Sequence, residues 1–182
     1  MKKLFAAVLM TLATIALSTS SFAASPAKAT YKAAEKTAEA DYKIARDKCD
    51  ALSGNPKDIC IAEAKAARVK TTEEAEATYK NTAKARASAL KKIAGANYDV
   101  AKEKCNAKSG NDKDVCIKEA EAVRATDKAN AKEDKKVAEA RKDSSDDKRE
   151  AAYKVATEKC DATSGANKNA CIAQAKVAYG EK

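Results

Sequence analysis

The sequence predicts an all-α protein: long antiparallel helices joined by three disulfide-stapled αα-hairpins, an Ala-rich helical bundle with coiled-coil character. Three observations carry this. The chain is built mostly from Ala, Lys, Glu and Asp, with five Gly and two Pro in 182 residues, a composition that favours helix and rarely interrupts it. A 27-residue unit occurs three times, from Tyr42, Tyr98 and Tyr153. Each copy holds two cysteines with ten residues between them and a glycine near the midpoint.

Lys2 and Lys3 precede an apolar run from Leu4 to Leu17, and Ser21-Phe22-Ala23 offers small residues at the two positions a signal peptidase reads. Residues 1–23 therefore read as a secretory signal peptide, cleaved after Ala23. The run is shorter than the roughly 20 apolar residues of a membrane span. Both Phe and both Met lie inside that leader, residues 1–23, and the chain has no His or Trp. The large apolar residues beyond it are six Tyr, Leu52, Leu90 and scattered Ile and Val. The 45% hydrophobic fraction is mainly alanine, which buries little area, so no conventional core is expected and staples must compensate. Without Lys2 and Lys3, 34 basic residues face 27 acidic ones, a surplus of +7. It reads as spread along solvated helical faces, with room for attraction to an acidic partner.

Residues 24–182 form one elongated repeat region with hairpin motifs at 42–68, 98–124 and 153–179. The motifs are "KCDALSGNPKDIC", "KCNAKSGNDKDVC" and "KCDATSGANKNAC". Gly54, Gly110 and Gly165 share one slot and suit the left-handed residue that closes a helix. Asn55 is then a cap, Pro56 a first helical residue and Asp58 a first-turn anion; Asn111 and Asp114 repeat this. In the third copy, with Ala166 and Asn169, the cap shifts to Asn167 or is lost. Favourable i,i+4 pairs are Glu39–Lys43, Glu76–Lys80 and Glu150–Lys154. Candidate secondary breaks, which either interrupt the helices or lie within them, are 71–74, where Thr71 and Glu74 have capping-box spacing, Asp127, and 143–147, with Ser144 or Ser145 as cap.

Zinc needs four thiolate or imidazole ligands, and each unit supplies two thiols without histidine. A redox pair is normally Cys-x-x-Cys. Structural disulfides fit better. Cys49 lies five residues before Gly54 and Cys60 six after it, so both sit near the bend on facing helices. Stripes Tyr42, Ala45, Cys49, Leu52 and Cys60, Ala64, Ala67 bring small residues to that seam; Tyr98, Ala101, Cys105 and Tyr153, Ala156, Cys160 repeat the first. The expected bonds are Cys49–Cys60, Cys105–Cys116 and Cys160–Cys171, because each copy then closes its own. Tyr42, Tyr98 and Tyr153, seven residues earlier, are expected to cover the disulfides.

The KCxxxSGNxKDxC hairpin resembles that of a group of exported beta-proteobacterial proteins often labelled TolA-like. The Ala/Lys/Glu-rich stretches are similar in composition to late-embryogenesis-abundant proteins. The resemblance implies export and, through the second group, stress protection; it implies no activity.

If the inter-motif segments stay helical, hairpins one and three point one way and hairpin two the other. Two helices of about 50 residues then run antiparallel over about 75 Å, and the end segments thicken one end into four helices. The expected function is non-enzymatic: an exported periplasmic protein (secreted as second choice) with a structural, envelope-maintenance or stress-protective role. There is no catalytic constellation, phosphate loop, cofactor site or metal set. The alternative is a basic binding module for an acidic envelope component such as lipopolysaccharide, anionic lipid or protein. Nucleic acid is not an expected partner.

Overall fold

The computed structural model describes residues 25–180; the expected signal peptide and its cleavage point after Ala23 lie outside them. Five α-helices and no strand occur among the described residues: α1 (Pro26–Cys49), α2 (Gly54–Lys80), α3 (Ala83–Cys105), α4 (Gly110–Cys160) and α5 (Gly165–Tyr179). None of these helices is long and apolar enough to cross a membrane.

Three bends are those the repeat specifies, and a fourth is not. The chain leaves α2 at Asn81, which adopts the left-handed conformation (φ 45°, ψ 42°). It re-enters a helix behind Thr82, whose hydroxyl accepts from the amide of Ala85 at 3.0 Å. Asparagine tolerates that backbone region and threonine caps well, so two adjacent residues make a turn without a disulfide. The expected continuous helix between the first two motifs is thereby split. Stapled hairpins one and two consequently lie at the same end, joined where the Asn55 side chain donates to the Glu103 carbonyl at 2.8 Å and Lys104 meets Glu63 at 2.7 Å. Only the segment between motifs two and three stays whole. It is the 51-residue α4, about 75 Å long at 1.5 Å per residue.

Helices touch only their neighbours in sequence: α1 with α2, α2 with α3, α3 with α4, α4 with α5. The first four thus form an open layer, and the expected meeting of the first and last segments does not occur. Ala87 and Ala89 of α3 are both 4% exposed although two residues are about 200° apart around a helix. One faces α4 and the other α2, as a helix inside a layer requires. The buried set is alanine plus Cys49, Cys105 and Cys160, with no buried polar residue. Alanine lets the axes approach closely but contributes little apolar area.

The candidate breaks at 71–74, Asp127 and 143–147 are helical throughout, so they lie within the helices. Thr71 and Thr72 return their hydroxyls to the carbonyls of Ala67 (3.2 Å) and Arg68 (2.9 Å), a bond available inside a helix, so the capping box is not used. Beyond the level at which α3 begins, α4 continues alone until Tyr153 meets Tyr179. Over roughly 139–151 every residue but Asp146 is exposed. Asp146 joins Lys142 and, at 2.9 Å, Arg149; Glu150 joins Lys154 at 2.7 Å. These one-turn ion pairs support a helix that no neighbour supports.

Candidate functional site

Each hairpin is closed as its cysteine spacing requires. Cys49–Cys60, Cys105–Cys116 and Cys160–Cys171 are bonded with Cα separations of 5.7, 5.6 and 5.7 Å, within the range a disulfide spans. No free cysteine is present among the described residues.

The glycines have the expected left-handed backbone (Gly54 φ +60°, Gly110 φ +54°, Gly165 φ +59°), but each opens the following helix instead of closing the preceding one. Extended Ser53, Ser109 and Ser164 stand before them as N-caps, without a side-chain capping bond. The expected caps Asn55, Asn111 and Asn167 therefore lie inside the helices, and Asn55 instead binds a carbonyl near the end of α3. Two turns also carry a clasp: Asp50 with Lys57 at 2.9 Å and Asp161 with Lys168 at 2.8 Å. Copy two has Asn106 at the acidic position, and its amide turns to Glu103 of its own helix.

Two helical turns from each disulfide lies a second clamp. The Arg68 guanidinium sits 4.5 Å from the Tyr42 ring centroid, and that of Arg124 4.0 Å from Tyr98. At the matching place in copy three Tyr179 meets Tyr153 edge-on at 6.4 Å. The tyrosines thus cover the partner eight residues beyond the second cysteine, not the disulfide. The repeat carried the signal, since residues 68, 124 and 179 occupy one aligned slot opposite the tyrosines. Of the seam stripe, Leu52 is 43% exposed because it lies in the bend. Ala67 is also exposed, and Arg68 continues the seam. Glu39 pairs across the hairpin with Arg68 at 2.9 Å instead of with Lys43; Lys80–Glu76 and Lys154–Glu150 form as expected.

The other end of the layer, where α1 begins and α2 turns into α3, has no staple. Tyr31 and Tyr79 stack there, rings 5.3 Å apart and 6° from parallel. The Tyr31 hydroxyl donates to Glu35 at 2.5 Å, and Lys32 holds the other oxygen of that carboxylate at 2.6 Å. Lys92 of α3 reaches Glu73 of α2 at 2.9 Å, and Lys80 pairs with Glu76. The hydrogen bond to Glu35, with smaller effects of burial and the nearby carboxylates, pushes the Tyr31 phenol up to about 12. Lys32 and then Tyr31 hold Glu35 below the usual carboxylate range, and Lys80 does the same for Glu76.

The positive surplus is not spread as expected. Between Glu76 and Asp99 stand five cations, Lys80, Lys84, Arg86, Lys91 and Lys92, and no acid. Lys28 and Lys32 precede the first acid of α1 at the same end. Neither α1 nor α3 has an acid in its first turn. Elsewhere the charges alternate; the groove between α2 and α3, for instance, mixes Asp58, Asp99 and Glu103 with Lys65, Arg68 and Lys102.

These features define a class: an all-helical protein whose hairpins are tied by local disulfides and packed on alanine. No known protein family, curated protein or solved structure matches the chain.

Proposed function

We propose that the chain is exported, cleaved after Ala23, and acts in the periplasm as a non-enzymatic helical protein with a structural, envelope-maintenance or stress-protective role. The observation that carries this is the presence of three disulfides around a core of alanine. Such a fold suits an oxidising compartment, and the apolar leader from Leu4 to Leu17 supplies the route. The similarity of the hairpin to exported beta-proteobacterial proteins agrees with it.

Fractionation of the producing cell tests the proposal. The expected result is a periplasmic protein beginning at Ala24, with all six thiols resistant to alkylation until reduced. Deleting the gene should sensitise cells to detergent or drying. A cytoplasmic protein with its leader intact and its thiols free would overturn the assignment; normal envelope resistance in the deletion strain would remove the protective role. A second reading, a basic module for an acidic envelope component, is favoured by the five cations between Glu76 and Asp99.

A further inference from the structure

We infer that the unstapled end of the layer is a docking surface for an anionic phospholipid bilayer. The inference rests on the basic-module reading and names its site and partner. The concentration of charge carries it. Lys80, Lys84, Arg86, Lys91 and Lys92 occupy the last turn of α2 and the first three turns of α3, and Lys28 opens α1 beside them. All six are exposed. Lys28, Lys84 and Lys91 have no acidic partner among the described residues, and Arg86 binds only the neutral Asn81 amide at 3.2 Å. Like charges gathered at the starts of two helices repel each other and the positive helix ends; Glu73, Glu76 and Glu35 offset Lys92, Lys80 and Lys32, which leaves Lys28, Lys84, Arg86 and Lys91 to attract an anionic surface.

A lipid surface fits better than a nucleic acid for two reasons. The cations gather at the turn and over the first three turns of α3 instead of running the length of a groove, so they present one end of the layer to a surface. Among them stand exposed apolar groups, Tyr79 at 39% and Leu90 at 44%, which suit the boundary between headgroups and acyl chains. From Asn81 to Lys91 is about 15 Å of helix, so most of the cluster stands within one to two Debye lengths of a surface the turn touches.

The test uses the exported, oxidised protein and sedimentation with phosphatidylcholine vesicles, with and without 30% phosphatidylglycerol. Binding is expected only to the anionic vesicles and should collapse between low and moderate salt. At about a factor of five per lost charge, Lys84→Gln, Arg86→Gln and Lys91→Gln together should weaken binding about 100-fold. The same number of changes at the stapled end, Lys48→Gln, Lys102→Gln and Lys108→Gln, should weaken it less than about threefold, with circular dichroism confirming that both variants fold. Equal losses in the two triples would overturn the site. Absence of binding at low salt, or tighter binding to duplex DNA than to anionic vesicles, would overturn the partner. Export is read separately by fractionation, so its failure and the failure of lipid docking are distinguishable.

Discussion

At Tyr31 the phenol donates to Glu35 and stacks on Tyr79, and the pKa of about 12 follows from that donation. A phenol whose folded pKa lies above its ordinary value near 10 stabilises the fold below pH 10, and that contribution disappears as pH rises through 12. Spectrophotometric titration should therefore show one tyrosine ionising about two units late, and Tyr31→Phe should remove that component alone. Glu35 and Glu76 have the opposite sign. Their lowered pKa values make a contribution that is present at neutral pH and is lost as pH falls through the acid range, so acid should loosen the unstapled end. The three Tyr clamps give a second residue-level test. Tyr179→Ala should destabilise the third hairpin by about 1 kcal/mol, whereas Tyr179→Arg recreates the cation–π pair of the other two copies and should stay within about 0.5 kcal/mol of the parent. Thermal melts of both variants check this.

Among the elements, the stapled hairpins were legible because three signals coincide in each copy: a cysteine pair, a central glycine and a helix-forming flank. The bend at Asn81–Thr82 was not, because it lies between copies and has no glycine, proline or cysteine. Its only mark is a residue that tolerates the left-handed region followed by a good cap. "TTEE" looked at least as strong, yet its threonines satisfy themselves within α2. Propensity and capping pattern favour both outcomes there, and packing of α2 on α3 decides. The basic end was likewise readable as a gap between Glu76 and Asp99, but that gap gains meaning only when the turn gathers it at one tip with the start of α1. Thr82→Ala removes the acceptor for the Ala85 amide and should cost about 1 kcal/mol, measured by chemical denaturation, with the disulfides unchanged.

For the whole molecule, the absence of contacts other than those between sequence neighbours makes the third hairpin nearly independent of the layer. The α5 helix has 15 residues and packs only on α4, too short to persist without that contact. Replacing Cys160 and Cys171 by serine removes a bond worth somewhat under ~3 kcal/mol in the chain-entropy model. Hydrogen exchange should then become fast over 165–179 while 26–135 keeps its protection. Loss of protection across the entire chain would show cooperative folding instead.

The solitary stretch of α4 near 139–151 also fixes an angle. Each residue of a helix advances about 1.5 Å and turns about 100°. Removing one residue there would swing the third hairpin around the α4 axis by more than a right angle while hardly changing its distance from the layer. Removing seven would return it to within about 20° of its direction and draw it in by about 10 Å. The number of residues in this stretch thus sets the azimuth at which the α4–α5 pair is presented, independently of any contact the two parts make.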